Sequence, residues 1–111
     1  MSVNRDIDEV IHAPIRLRIC GMLRQVEAID FAAIKEQLDI QDSSLSKHLK
    51  TLADAGYVSI KKESSLSRLD ARRITWVNLT RTGKKAFDEY LKTLTAIVEV
   101  DVRNGFQKPI T

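Results

Sequence analysis

The spacing of hydrophobic residues changes twice along the chain. From Val3 to Ala55, apolar side chains recur every three or four residues, which is typical of amphipathic helices. After Gly56, the segments "YVSIKK" and "RRITWVNL" alternate apolar and polar residues, as strands do. Helical spacing then returns in "RTGKKAFDEYLKTLTAIVEVDVRN". The pattern predicts four helices, the first over Val3–Ile11, followed by a two-stranded hairpin with a long polar tip and a long final helix.

Local signals place the ends of these elements. Asp30 is a natural N-cap for the helix "FAAIKEQL", and Thr80 can cap the last helix, because short oxygen-bearing side chains accept from free N–H groups there. Gln41 or Asp42 caps the stretch that follows "LDIQ". Gly56 can end that stretch, since glycine adopts the left-handed conformation common just past a helix.

The helix predicted over residues 42–55 has two contrasting faces. At about 100° per residue, Leu45, Leu49 and Leu52 fall on one side and predict the seam that packs against the domain. The remaining surface carries small or flexible polar residues: Ser43, Lys47, Lys50 and Asp54 opposite the seam, and Ser44, His48 and Thr51 on one flank.

This polar face has the chemistry of a helix that enters the major groove of DNA. Short or flexible side chains allow close approach, and hydroxyl and ammonium groups can bond to base edges and phosphates. The free N–H groups at a helix start also attract phosphate. Taken alone, however, the face fits a solvated helix surface equally well, so its surroundings decide between the two interpretations.

The basic charge is concentrated in the middle of the sequence. Residues 1–41 carry five Lys or Arg against seven Asp or Glu, residues 42–85 carry ten against four, and residues 86–111 carry three against four. The central segment therefore has a net charge of +6 in a chain of net charge +3. Such asymmetry points to a polyanionic partner, although a solvated basic face would look the same.

The order of these features resembles a known family. The segments "IRLRICGMLRQVEAIDFAAIKEQLDIQDSSLSKHLKTLADAGYVSIKK" and "RRITWVNLTRTGKKAF" are similar to small winged-helix transcriptional regulators of the MarR/ArsR type, in their minimal single-domain branch. The resemblance implies an α+β fold class, mostly α, with a winged helix-turn-helix and a long C-terminal dimerisation helix. Residues 1–111 are then expected to form a single domain, with a core over about 12–80 and a terminal helix over about 81–104.

The resemblance also assigns roles to residues. It implies that the helix 42–55 is the recognition helix and that the hairpin 64–72 is the wing, which reaches the flanking minor groove or the DNA backbone. For His48, a contact at the groove edge and a partly buried structural position remain about equally favoured. The DNA-binding set expected on this basis is Ser43, Ser44, Lys47, His48 and Thr51 on the helix, with Arg68, Arg72 and Arg73 on the wing and its approach.

The last helix carries more apolar surface than one small domain needs. A helix of some 22 residues spans about 33 Å, which exceeds the core of such a domain. Family members dimerise through terminal helices, so the resemblance implies a homodimer on a pseudo-palindromic operator of double-stranded DNA. The residues expected at the dimer interface are Tyr90, Leu94, Ile97, Val98 and Val102.

Other kinds of site find little support in the sequence. Cys20, His12 and His48 are isolated, so neither a metal site nor a cofactor is expected, and Cys20 is interpreted as a buried, inert thiol. Motifs of nucleotide-binding or hydrolytic enzymes do not occur, so an enzyme is not expected. Neither a membrane-spanning run nor a signal peptide is recognisable, which favours a cytoplasmic protein without a membrane partner. Nothing identifies a small-molecule effector.

The sequence thus favours a sequence-specific, homodimeric DNA-binding regulator, more often a repressor than an activator. Two alternatives remain open. Winged helices also serve as protein-interaction modules, which would be expected to expose large apolar residues at positions 43, 44 and 47. A non-specific architectural DNA binder fits the basic wing equally well, and only Leu66 or Leu69 could then serve as an apolar wedge.

Overall fold

The computed structural model describes residues 7–64 and 73–104, with side chains up to Glu99. It confirms the predicted fold class: a largely helical α+β domain in which a helix-turn-helix precedes an antiparallel hairpin and a long last helix. The elements are α1 (Pro14–Arg24), β1 (Ile29–Asp30), α2 (Phe31–Leu38), α3 (Asp42–Asp54), β2 (Val58–Ser64), β3 (Arg73–Leu79) and α4 (Arg81–Asn104).

The first helix expected from the sequence is not present in the part of it that the structure describes. Residues 7–12 form a turn in which the Asp8 carboxylate accepts from the N–H groups of Val10 and Ile11 at 2.9 and 3.2 Å. The prediction over Val3–Ile11 is therefore wrong for its described half. Asp8 acts as the N-cap of this single turn, since its carbonyl also accepts from His12 N–H at 2.8 Å, so the turn begins at Asp8 instead of continuing a helix through it. Ile11 still reaches the core and is fully buried.

The sheet has one strand more than the sequence predicts. Strand order is β1-β3-β2 with all pairs antiparallel, and β1 adds only two residues, Ile29 opposite Val77 and Asp30 opposite Trp76. Two residues are too few to produce a recognisable alternation, so the pattern could not signal this strand. Strand β1 anchors the start of α2 to the hairpin, because Asp30 is also the N-cap of α2 and accepts from Ala32 N–H.

The core lies between the helices and the inner face of the sheet. Side chains from α1, α2, α3, β3 and the turn at residues 7–12 are completely or almost completely buried there, and Phe87 and Tyr90 close it from α4. The three leucines predicted as the α3 seam are among them, with exposed fractions of 0–1%. Each such side chain contributes about 1.5–3 kcal/mol by leaving water, so α3 is held firmly against the domain.

The end of α3 and the start of α4 meet at Tyr57. Gly56 adopts φ +80°, and the N–H groups of Gly56 and Tyr57 bond back to Ala53 and Leu52, which completes a Schellman stop. Thr80, the predicted cap of α4, accepts from Gly83 N–H at 3.0 Å and also bonds through its own backbone N–H to the Tyr57 carbonyl at 2.9 Å.

Gly83 makes this junction sterically feasible. A Cβ atom placed on it would overlap the Tyr57 carbonyl oxygen, far inside van der Waals contact. Only glycine lets the first turn of α4 lie this close to the backbone that leaves α3. The end of α3 and the start of α4 are thereby held together through the Tyr57 carbonyl, which also accepts from Thr80 N–H.

Candidate nucleic-acid interface

The outer face of α3 is polar along its whole length. Ser43, Lys47 and Thr51 are exposed, while Ser44 and His48 are half-buried on the flank nearer the core. The structure thus brings the five helix residues predicted to bind DNA onto one side of one helix. No large apolar side chain stands at positions 43, 44 or 47, where a protein-binding version of the fold would be expected to carry one.

An intrahelical hydrogen bond limits the contacts that the Thr51 hydroxyl can make with a ligand. Thr51 Oγ1 donates to the Lys47 carbonyl at 3.1 Å, the backward bond that threonine often forms within a helix. While that bond holds, the Thr51 hydroxyl can accept from a ligand but cannot donate. Lys50 is engaged with Asp54 at 3.0 Å, although both side chains remain largely exposed and such pairs are easily exchanged.

The start of α3 leaves backbone donors without a side-chain cap. Gln41 is the N-cap residue and makes no side-chain bond to the helix. Asp42 in the first turn would oppose an approaching phosphate, but its carboxylate is paired with Lys35 of α2 at 2.8 Å. The tight turn between α2 and α3 begins at Asp39, which is left-handed with φ +53°. Because the Asp42 carboxylate is paired and the first N–H groups of α3 have no side-chain cap, the start of α3 is suited to bind an anion such as phosphate.

A groove separates α3 from the hairpin and joins the two basic elements. Its volume is about 550 Å³, and its floor includes Phe31, Leu49 and Ile60. Lys50 of α3 and Lys62 of β2 border the same groove. Lys50 and Lys62 therefore face a common region of solvent, as one extended ligand would require.

The described part of the wing consists of its two strands. Arg73 is exposed at the start of β3, where it pairs in register with Ser64 at the end of β2. Lys61 and Lys62 are exposed on β2. Arg68 and Arg72, the other wing residues predicted to bind DNA, lie outside the described residues, as do Leu66 and Leu69.

His48 has an unexpected partner. Its Nδ1 lies 3.2 Å from Nη1 of Arg16 in α1, and Arg16 Nε donates to the Val10 carbonyl at 2.5 Å. Partial burial of the ring, and secondarily the positive charge of Arg16, lower the pKa of His48 below its usual value. Arg16 was not predicted from the sequence, because 32 residues separate it from His48 and no motif links them.

The predicted dimer residues on α4 fall into three groups. Tyr90 is only 3% exposed within its own chain, where its hydroxyl lies 2.8 Å from Nδ1 of His12, so it already has a full set of neighbours. Leu94 and Ile97 are half-buried, and Val98 is 54% exposed. Val102 lies in a part of α4 whose side chains are not described. Leu91, not predicted for the interface, is 42% exposed on the same stripe as Val98.

Cys20 is buried, as its place on the helical pattern predicts. Burial, reinforced by the negative charge of Asp8, raises the pKa of the thiol to about 11, so it is almost entirely protonated at neutral pH. Among the described residues, no group of three or more potential metal-binding side chains comes together. In the same ranges, none of the helices combines the length and apolarity needed to cross a membrane.

Comparison with known proteins agrees with this geometry. A family model described as a winged helix DNA-binding domain matches residues 15–98. An uncharacterized protein of Methanocaldococcus jannaschii is 31% identical over 83 residues, which is 75% of this chain and 86% of that protein.

Solved structures show the same fold. The transcriptional regulator homologue of Pyrococcus horikoshii OT3 superposes with a TM-score of 0.78 at 24% identity, over 90% of this chain and 97% of that one. The YusO protein of Bacillus subtilis superposes with a TM-score of 0.67 at 16% identity, over 95% of this chain and 74% of that one.

These matches define a class of small DNA-binding proteins built on a winged helix. The chain belongs to the family of winged helix DNA-binding domains. The winged-helix fold that the sequence resemblance implied is confirmed, and with it the general expectation of a DNA-binding protein.

Proposed function

We propose that this protein is a homodimeric transcriptional regulator that reads a pseudo-palindromic site on double-stranded DNA. The observation that carries the proposal is the outer face of α3, which presents Ser43, Lys47 and Thr51 to solvent above a fully buried leucine seam. A rigid helix with short donors and acceptors outward is what the major groove admits. In this proposal Ser43, Ser44, Lys47 and His48 contact bases or phosphates, and Thr51 accepts at the edge.

In this proposal the hairpin contacts the DNA that flanks the major groove. Arg73, Lys61 and Lys62 are exposed on the strands that lead to the wing, and Lys62 borders the same groove as Lys50 of α3. Arginine suits a narrow minor groove and bidentate phosphate contacts, which is the role proposed for Arg68 and Arg72. Lys50, Lys61 and Lys62 would add attraction that does not depend on sequence.

Dimerisation through α4 is part of the proposal. The helix has 24 residues and spans about 36 Å, whereas its two buried aromatic residues, Phe87 and Tyr90, both lie in the first half. Beyond them Leu94, Ile97 and Val98 keep surface that the domain does not cover. Packing this stripe against its copy would bury that surface and place two recognition helices about 34 Å apart, one turn of DNA.

A dimer bound in this way would act as a repressor by occlusion. It would cover two successive major grooves and the flanking backbone, and so exclude polymerase from an overlapping promoter.

The experiment that tests the function is selection of bound sequences from a random duplex library at near-physiological salt. Enrichment of a two-fold symmetric motif with half-sites about one helical turn apart is the result expected. Retention of DNA without a motif would support an architectural DNA binder instead. Absence of retention would overturn the proposal and favour a protein-interaction module.

A further inference from the structure

The link between α1 and the recognition helix has a defined chemistry. Arg16 Nη1 lies 3.2 Å from His48 Nδ1, and Arg16 Nε holds the Val10 carbonyl at 2.5 Å. The second bond fixes the guanidinium, because the turn that carries Val10 is itself pinned by the Asp8 carboxylate. The guanidinium that faces His48 is therefore anchored by the Val10 carbonyl rather than free in solvent.

Arginine in this position dictates which nitrogen of His48 carries the proton. A guanidinium has only N–H donors and no acceptor, so His48 Nδ1 must accept. A neutral imidazole that accepts at Nδ1 carries its proton at Nε2. The side chain is half-buried on the flank of α3, between the exposed recognition face and the core.

We propose that Arg16 is a positioning residue for DNA recognition, which holds His48 as the neutral Nε2–H tautomer so that its Nε2 donates to an acceptor on DNA. The inference rests on the proposed function and deepens it. The acceptor is an oxygen or nitrogen without hydrogen: a phosphate oxygen, or an acceptor on a base edge such as guanine O6 or N7 or thymine O4. Arg16 itself makes no DNA contact in this proposal.

The first test uses the free protein and needs no DNA. Long-range proton–nitrogen NMR spectra at pH 7 should show His48 protonated at Nε2 and bare at Nδ1. Arg16→Met removes the donors while keeping an apolar stem, and should shift the ring toward a mixture of tautomers and raise its pKa. Arg18→Met, at an exposed position of the same helix, should change neither. A wild-type ring protonated at Nδ1 would overturn the proposal, whether or not the variant folds.

The second test is a double-mutant cycle on a DNA site selected by the wild-type protein. Arg16→Met should weaken binding about five- to tenfold, as expected for one misplaced hydrogen bond to DNA. In a His48→Ala background the same change should cost less than about twofold, because Arg16 then has nothing to position. An undiminished loss in that background would show that Arg16 acts elsewhere and would overturn the inference.

The sequence of the selected sites distinguishes the two acceptors. If His48 bonds a base edge, Arg16→Met should relax the preference at one position of each half-site. If it bonds a phosphate, affinity should fall evenly for all sites. Either pattern supports the positioning role. Failure of the wild-type protein to bind any DNA would refute the proposed function. Normal binding by the wild-type protein, with the same effect of Arg16→Met in the wild-type and His48→Ala backgrounds, would refute only this inference.

Discussion

Helices α3 and α4 contribute alike to the core and differ in the side chains that they leave exposed. Each buries an apolar stripe in the same core, through Leu49 in α3 and Phe87 in α4. Among the exposed side chains, α3 has Ser43 and Lys47 on the face opposite its leucines, whereas α4 has Leu91 and Val98, which continue the stripe of Phe87 along the helix. Burial of the inner stripes explains why both helices form, and it does not distinguish them. The exposed residues carry the functional difference, since those of α3 suit a polar, charged ligand and those of α4 suit an apolar partner.

Because both helices contribute buried side chains to one core, truncating a buried residue of either helix should lower the free energy of unfolding by a similar amount. Leu49→Ala and Phe87→Ala should each lower the free energy of unfolding by about 3–5 kcal/mol, because each leaves a cavity in the shared core. Lys47→Ala and Lys85→Ala, at exposed positions of the same helices, should stay within about 0.5 kcal/mol of wild type. Urea denaturation at matched protein concentration measures all four. A loss below about 1 kcal/mol for Leu49→Ala would mean that α3 is not held as described.

The junction between the two helices should tolerate no side chain at Gly83. Gly83→Ala drives a methyl group into the Tyr57 carbonyl and should cost about 2–3 kcal/mol or prevent folding.

Gly21→Ala is the matched control, since the added Cβ would lie 3.9 Å from Phe87 Cζ, an ordinary contact. Alanine should stabilise α1 there by up to about 1 kcal/mol because it is the better helix former. Thermal melting compares the two, and a stable Gly83→Ala protein would refute the close contact at Tyr57.

The exposed apolar residues of α4 should control assembly. Glutamate at both Leu91 and Val98 should raise the dimer dissociation constant more than about tenfold, since each buried aliphatic side chain contributes about 1.5–3 kcal/mol. Lys85→Glu, which adds negative charge to a different face, serves as the control. Light scattering over a concentration series reports the change. A wild-type protein that is monomeric at micromolar concentration would contradict the dimer outright.

The polar outer face of α3 should control the dependence of DNA affinity on salt. Lys47→Met should lower affinity and reduce the slope of log affinity against log salt by about 0.9 for each phosphate that the protein no longer neutralises. Lys85→Met removes the same charge from α4 and should leave the slope unchanged. Fluorescence anisotropy across a salt series measures both. Equal slopes for wild type and Lys47→Met would place Lys47 outside the interface.

The smallest effect expected concerns His48 and pH. Its pKa is lowered in the folded protein by burial and by Arg16, so the unfolded chain takes up a proton first as the pH falls below about 6.5. The stability that depends on the neutral ring is present above that value and is lost as pH falls through the folded pKa. Wild type should therefore lose more stability than His48→Gln between pH 7 and pH 5. Parallel curves would show that His48 titrates normally.

The sequence predicted those features that depend on local spacing. The leucine seam of α3, the stop at Gly56, the caps at Asp30 and Thr80 and the bounds of α4 follow from periodicity and from side chains that bond to nearby backbone. Each of these is decided within a few residues, so a single chain contains the information.

Features that depend on contacts between distant segments were missed. Strand β1 exists because Ile29 and Asp30 lie beside β3, and two residues show no period of their own. The Arg16–His48 contact and the need for glycine at position 83 likewise arise only once the helices have packed. Tyr90 was expected at a partner surface, but its ring turns toward His12 and the core. Helical period shows which residues share a face, not what covers that face.

The most direct test of DNA reading by α3 is a comparison of motifs selected from random duplex DNA. Wild type would be run beside a variant with alanine at both Ser43 and Ser44, and beside Thr95→Ala, an exposed change on α4. We expect a two-fold symmetric motif for wild type and Thr95→Ala, and loss of preference at matching positions of both half-sites for the serine variant. An identical motif from all three proteins would show that the outer face of α3 does not read the DNA sequence.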